Sequence, residues 1–246
     1  HGLDGYAPTP IRMLSPTVGV KDESNRLGLP AFKILGASWA IERALRANPG
    51  VHTLVAASAG NHGRAVARVA AMRGLRARVF LPERSLSARR EAIAGEGAEV
   101  IVDGTYEQCV ARAALEGREP GCLELADVGA SGPAEWVIDG YATLFDEIDE
   151  RWDAILVPIG VGSLGAAAAR YGASAGIPVI GVEPVNAACL TAALQAGRPV
   201  EISNPGTTMA GLDCAIVSEA AWPSLRFGIR GTITVDDEET AAAIRE

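Results

Sequence analysis

The sequence predicts an α/β fold built on mostly parallel sheets with helices on both faces. Short apolar runs alternate with segments of helical spacing through the middle of the chain. Short apolar strands alternating with helices mean βαβ units and a mostly parallel sheet, buried on both faces. Hydrophobic residues make up 48% of the 246 residues and aromatics only 5%, and this Ala-, Val-, Gly- and Leu-rich composition suits layered helix–sheet packing.

The elements follow in order. "HTLVAAS" (52–58) reads as a strand, and "GNHGRAVARVAAMRG" (60–74) as a helix with a glycine stop. "RARVFLP" (76–82), "AEVIVDG" (98–104) and "GCLELAD" (121–127) read as strands, with "SLSARREAIAGEG" (85–97) and "TYEQCVARAALEG" (105–117) as helices between them. "DGYATLFDEIDERW" (139–152) reads as a helix, then strand "DAILVPIG" (153–160), helix "SLGAAAARYGASAG" (163–176) and strand "IPVIGVEP" (177–184). "GASGPAEWVI" (129–138) lacks clean periodicity and is the candidate boundary. "TVDDEETAAAIRE" reads as a strand end, an acidic turn and a helix that runs to the last residue, so the native chain is expected to continue.

Bulk properties exclude several classes. The net charge of -8 argues against a nucleic-acid or anionic-membrane surface. No apolar run is long enough to span a bilayer. Cys109, Cys122, Cys189 and Cys214 form no C-x-x-C pair, and His1, His52 and His62 do not join them at ligand spacing, so no metal site is expected. Reduced thiols and the lack of a signal-peptide pattern lead us to expect a cytoplasmic protein.

Three stretches carry chemistry. Lys33 lies in "LPAFKILGAS", where apolar neighbours disfavour an ammonium and suit a lysine that forms an imine with a carbonyl. A lysine whose stem packs while its head reaches water is the plain alternative. In "ASAGNHGRAVA" (57–67), Asn61 lies at or near a helix N-cap, Gly60 tightens the turn and Gly63 gives close approach. Exposed N–H groups there form an anion site, though a well-capped helix needs the same residues. "PIGVGSLGAAA" (158–168) places Gly160, Gly162 and Gly165 between a strand and an Ala-rich helix, a second phosphate-type cradle. Read literally it is G-x-G-x-x-G, with Glu183 ending the next strand, so a Rossmann-type nicotinamide oxidoreductase competes. That alternative leaves "AFK" and "SAGNHG" without a role.

The order of these parts resembles the fold type II pyridoxal-phosphate enzymes, the group of threonine dehydratase and tryptophan synthase β. "AFKILGA" is similar to their S-F-K-x-R-G-A segment and "SAGNHG" to their S-x-G-N-H loop. Within that group the chain most resembles the diaminopropionate ammonia-lyases, through "YAPTPI", "KDESNRLGLPAFKILGAS", "GNHGRAVA", "DGYATLFDEI", "GVGSLGAA", "GVEP" and "TTMAGLDC".

The resemblance implies a two-domain, tryptophan synthase β-like fold. Residues 1–36 and 150–246 would form the larger, cofactor-binding domain and 37–149 a smaller mobile one, with pyridoxal 5'-phosphate in the cleft. Lys33 would hold the cofactor and then act as base at Cα. Asn61 would bond the ring oxygen. Ser58 and the backbone of Ala59, Gly60, Asn61 and His62 would clamp the substrate carboxylate. Gly160, Val161, Gly162, Ser163 and Leu164 would cradle the phosphate. Asp127 would protonate or orient the leaving β-amine, although a strand-end aspartate also caps loops. His62 would pack under the cofactor or cap its helix.

The implied reaction is α,β-elimination from a small amino acid, with 2,3-diaminopropionate first and serine or threonine next, in a homodimer. A β-replacement enzyme would use the same residues, and a non-catalytic relative would bind a cofactor or amino acid as a sensor. Two departures bear on this. Ala59 stands where the ammonia-lyases carry Asp, which favours L-substrates. "LSPTVGVKDES" is short for the family, as though residues were missing before Val20. The residue facing the pyridine nitrogen would lie past Glu246.

Overall fold

The structure, a computed structural model, describes residues 3–126 and 129–245. The chain divides into two compact units, His1–Asp127 and Val128–Glu246.

The first unit opens with an antiparallel hairpin of β1 (Ile11–Ser15) and β2 (Val18–Lys21). Pro16 and Thr17 close it, and the Ser15 hydroxyl accepts from the backbone N–H groups of Thr17 and Val18. The stretch expected to be short, "LSPTVGVKDES", thus contains the closing turn and β2 of this hairpin. Then come α1 (Lys33–Ala47), β3 (Thr53–Ala57), α2 (Asn61–Met72), β4 (Arg76–Leu81), α3 (Ser87–Ala94), β5 (Glu99–Val102), α4 (Tyr106–Glu116) and β6 (Cys122–Glu124). The four later strands form a parallel sheet in the order β5-β4-β3-β6. Leu54, Val55 and Ala56 of β3 are fully buried, as a central strand covered on both faces must be. Val55, Phe80, Cys109 and Ala113 make the core between sheet and α4. A capping box starts α4: the Thr105 hydroxyl accepts from the Gln108 N–H, and the Gln108 side chain accepts from the Thr105 N–H.

The second unit comprises α5 (Pro133–Asp146), β7 (Ile155–Pro158), α6 (Ser163–Ala175), β8 (Val179–Pro184), a 3-10 turn, α7 (Cys189–Ala196), α8 (Trp222–Gly228), β9 (Ile229–Val235) and α9 (Asp237–Arg245). Its three strands run parallel in the order β7-β8-β9. Gly165 lets α6 settle on the sheet, because a Cβ there would lie 2.4 Å from Ile159 Cδ1.

Two expectations need correction. The helix expected over 139–152 spans 133–146, so most of "GASGPAEWVI" is its first turn and a half rather than a linker. Gly132 at positive φ, then Pro133 and Glu135, form the start signal of α5. α5 belongs wholly to the second unit, which begins at Val128.

Candidate active site

In the first unit, two helix starts carry the expected residues. Phe32 caps α1 and Lys33 is its first residue, half-buried, with Nζ 5.6 Å from the centroid of the Phe32 ring. Ile34, Leu35, Gly36 and Ala37 are buried behind it, which accounts for the apolar stretch around this lysine. No acidic residue lies in the first turn of α1. The chain has two lysines. The ammonium of the other, Lys21, donates to the Thr9 carbonyl at 2.6 Å.

Lys21 is followed by two acidic residues, Asp22 and Glu23, both tied into local structure. Asp22 pairs with Arg12 and accepts from the Ser24 N–H at 3.0 Å. The bond from Ser24, opposed by slight desolvation and helped by Arg12, holds the Asp22 carboxyl below its ordinary value. Glu23 receives Nε and Nη2 of the fully buried Arg26 at 2.8 and 2.6 Å.

The second start follows β3. Ser58, Ala59 and Gly60 form the turn, with the Ser58 hydroxyl accepting from the Gly60 N–H at 3.3 Å. Gly60, not Asn61, is the N-cap of α2, and no side chain caps the helix. Asn61 is the first helical residue and is exposed. The N–H groups at this start are thus left for an anion. The close approach expected of Gly63 is present: a Cβ there would lie 2.3 Å from the Ser58 carbonyl oxygen.

His62 turns inward. It is 3% exposed, its Nε2 donates to the Leu125 carbonyl at 2.8 Å, and its Nδ1 has no hydrogen-bond partner among the described residues. Its side chain therefore fastens the clamp turn to the chain just after β6. His62→Ala is expected to leave the Leu125 carbonyl unpaired at a cost of roughly 1–3 kcal/mol, read as a lower denaturant midpoint. His62→Gln, which puts an amide donor where Nε2 stands, should recover most of it. Asp127 lies outside the described residues.

In the second unit, the glycine turn emerges from β7. Gly162 sits at φ +95° as the N-cap of α6, again with no side-chain cap. A Cβ on Gly160 would lie 2.9 Å from the Gly211 carbonyl oxygen, and one on Gly162 would lie 2.6 Å from Leu225 Cδ1. Val161 and Leu164 are half-buried and Ser163 is buried. Cys189 donates weakly to the Gly160 carbonyl. Burial first, then Glu183 and Cys214, push its thiol up to about 12, so it stays protonated and unreactive.

Glu183 is not a ribose ligand. It is fully buried and caps α7, accepting from the N–H groups of Leu190 and Thr191 at 2.6 and 2.9 Å and from the Thr191 hydroxyl at 2.7 Å. Burial pushes its carboxyl up, and those bonds from Thr191 and Leu190 oppose the shift. The feature on which the nicotinamide alternative rested has a structural occupation.

One residue of this edge escaped the sequence reading. Asp237, at the start of α9, accepts from the Thr207 hydroxyl at 2.5 Å and from the Thr208 N–H at 3.0 Å, and these bonds hold its carboxyl below its ordinary value. It pins the "TTMAGLDC" loop, whose Gly211 and Cys214 pack on Gly160. The acidic run "DDEE" signalled only a helix start. A cavity of about 270 Å³ opens beside the loop, lined by Asn186, Thr207, Val235 and Asp237 among others. It lies at the carboxyl edge of the strands, where α/β sheets bind ligands.

Comparison with known proteins decides the family. The model of the pyridoxal-phosphate dependent enzymes matches residues 3–246. The chain belongs to this family. Among curated relatives, the diaminopropionate ammonia-lyase of Salmonella typhimurium is 32% identical over 291 residues, covering 99% of this chain and 72% of the relative. The biosynthetic L-threonine dehydratase of Pasteurella multocida is 31% identical, covering 95% of this chain and 45% of the relative. Among solved structures, Escherichia coli diaminopropionate ammonia-lyase in complex with an aminoacrylate-PLP azomethine reaction intermediate superposes with a TM-score of 0.87 at 30% identity, covering 97% of this chain and 70% of that one.

As a pyridoxal-phosphate dependent enzyme, the chain has residues that fit its cofactor. The Gly160–Gly162 turn excludes side chains by contact and by positive φ, and it opens onto an uncapped helix of 13 residues, which suits a phosphate dianion. The half-buried Lys33 carries an amine of the kind that would pair with the aldehyde. Among the described residues, no helix is long and apolar enough to cross a membrane, and no cluster of His, Cys, Asp and Glu could hold a metal ion.

Proposed function

We propose that the chain catalyses α,β-elimination from a small amino acid, with 2,3-diaminopropionate as substrate and pyruvate and ammonia as products. The observation that carries the reading is likeness to a diaminopropionate ammonia-lyase along 99% of the chain. The site geometry agrees with it. The first unit offers an amine at one helix start and an uncapped anion site at another, and the second offers a glycine cradle.

Bound pyridoxal phosphate supplies an electron sink that makes the Cα–H bond acidic. The chain does the rest. Ser58 and the N–H groups of Ala59, Gly60, Asn61 and His62 hold the substrate carboxylate. The Asn61 side chain bonds the ring oxygen of the cofactor. Backbone donors of Gly160, Val161, Gly162, Ser163 and Leu164 hold its phosphate. The Lys33 amine takes the Cα proton. Asp127 delivers a proton to the departing β-nitrogen, so the leaving group is ammonia. The released enamine takes up water and loses the second ammonia. With Ala59 in place of a second acid, Lys33 is the base at Cα, and this favours L-substrates. In this reading residues 1–36 and 150–246 act as the cofactor-binding domain and 37–149 as the mobile one, in a cytoplasmic homodimer.

A second reading, serine or threonine dehydratase, is favoured by Ala59 and by the threonine dehydratase relative. One assay separates the two. The protein, loaded with pyridoxal phosphate, is offered L- and D-2,3-diaminopropionate, L-serine and L-threonine separately. Two ammonia per pyruvate from the L-diamine alone is the expected result. Product from serine or threonine alone establishes the dehydratase. Silence on all four with a normal cofactor spectrum overturns these substrates in favour of β-replacement or a different amino acid.

A further inference from the structure

The segment that delivers Lys33 contains a turn with unusual backbone geometry. Arg26 and Leu29 bond to each other in both directions, Arg26 N–H to Leu29 O at 2.8 Å and Leu29 N–H to Arg26 O at 3.0 Å. The two residues between them, Leu27 and Gly28, have φ of 54° and 76°, the signature of a type I′ turn. Among the described residues, Leu27 is the non-glycine residue with positive φ. A leucine there is sterically disfavoured and persists only where its surroundings hold it. Pro30, Ala31 and Phe32 then lead directly into Lys33, and Leu29 is buried at 3% exposure. Wherever the turn sits, α1 begins.

What holds the turn comes from both sides. The fully buried Arg26 anchors its inner flank through Glu23, through the Thr9 hydroxyl at 2.9 Å and through the Ala7 carbonyl at 3.2 Å. On the strained residue itself the holder is Arg68, from the second half of α2. Its Nη1 donates to the Leu27 carbonyl at 3.1 Å. The guanidinium is fixed in turn by Glu96, which also receives Arg64 Nε at 2.8 Å. Burial works to raise the Glu96 carboxyl, but the bonds from Arg68 and Arg64 outweigh it and hold it ionised. Arg68 is thus held by an anion through Nε while it holds a carbonyl through Nη1, two bonds set at fixed angles by one planar fork.

We propose that Arg68 is a positioning residue for Lys33: by holding the Leu27 carbonyl it fixes the left-handed turn that sets where α1, and the amine at its first residue, begins. Because Arg68 rides on the helix whose start carries Ser58–His62, it also ties the amine to the anion site within the same unit. The proposal rests on the assignment of Lys33 to the cofactor.

The test compares wild type, Arg68→Met and the double variant Arg68→Met/Leu27→Gly. Amide hydrogen exchange across Leu29–Leu35 is measured on cofactor-free protein. The rate at which added pyridoxal phosphate becomes fixable to the Lys33 peptide by borohydride is measured alongside it. Arg68→Met is expected to speed exchange and to slow attachment, each by about tenfold, the scale of one hydrogen bond. Turnover should fall with kcat, and KM should stay within about twofold. Glycine takes positive φ without steric penalty, so Leu27→Gly should restore much of what Arg68→Met loses. A role confined to holding Glu96 predicts no such rescue.

Unchanged exchange and attachment in Arg68→Met, or a double variant no better than the single one, overturns the proposal. Should Arg68→Met not fold, Gly28→Ala attacks the same turn with the Arg68–Glu96 pair intact. Its Cβ would meet Arg68 Nη1 at 3.2 Å at a positive φ. The same slowing is expected, and wild-type behaviour overturns the proposal. A wild-type chain that attaches no cofactor at Lys33 defeats the assignment of that lysine, and the exchange data then decide the role of Arg68 alone.

Discussion

Lys33→Ala abolishes borohydride-fixable cofactor and lowers turnover by at least about 10³-fold, the range spanned by a positioned acid–base group. The loss is expected without loss of fold. Lys33 is half-buried at the first position of α1, and alanine is the best helix former to put there. The prediction is sharp because the chain has two lysines and the ammonium of Lys21 is bound to the Thr9 carbonyl in a loop tie-down. Peptide mapping of the reduced adduct reads the outcome. Label on the Lys21 peptide, or turnover of Lys33→Ala within tenfold of wild type, would sink the assignment.

The second large effect is expected at Gly162. Valine there must adopt φ near +95° and must place its Cβ 2.6 Å from Leu225 Cδ1. The left-handed backbone costs about 1–2 kcal/mol and overpacking about 1–3 kcal/mol, so the start of α6 shifts or the turn opens. Pyridoxal phosphate affinity should drop by about 100-fold or more, the equivalent of some 2.7 kcal/mol. Pyridoxal lacks the phosphate, and its affinity should change little. Titrating both compounds into wild type and Gly162→Val gives the comparison. An equal loss for the two would mean that the cradle does not hold the phosphate. Retained affinity for both would mean that this turn is not the cradle.

Much of the fold could be read from the chain because parallel α/β units write themselves locally. Short apolar strands followed by a turn and an amphipathic run, with glycine in the turn after β3, β5 and β7, are visible without tertiary information. Sheet order is not. β3, β4 and β6 are alike in apolarity, and nothing in "TLVAA" says that it pairs with both "RARVFL" and "CLE". Two local features were also missed. α5 begins with Gly-Pro, which read as a break, and the hairpin β1–β2 is too short and too exposed to leave a clear period.

The same distinction holds for the site. Lys33, the 58–62 turn and the 160–164 turn stood out because each is a contiguous segment with unusual composition. Arg68, Glu96 and Asp237 did not, and Glu183 stood out only for a ribose role it does not have. Each acts on a carbonyl, guanidinium or helix end brought near only by folding, and a lone charged residue on a helix or loop has no local signature.

The inward-turned His62 gives the chain a built-in spectroscopic probe. Because the Leu125 carbonyl can only accept, Nε2 carries a proton held in that bond, and the buried Nδ1 has no partner among the described residues. Long-range proton–nitrogen correlation spectra should therefore show one imidazole whose Nε2–H exchanges slowly. His52 is set differently, with Nδ1 within 3.1 Å of an Arg76 guanidinium nitrogen and 2.9 Å of the Thr53 hydroxyl. With three histidines in the chain, that resonance can be assigned by a single substitution. It then reports on the clamp turn, through every titration of cofactor or substrate, from a ring that need not touch either.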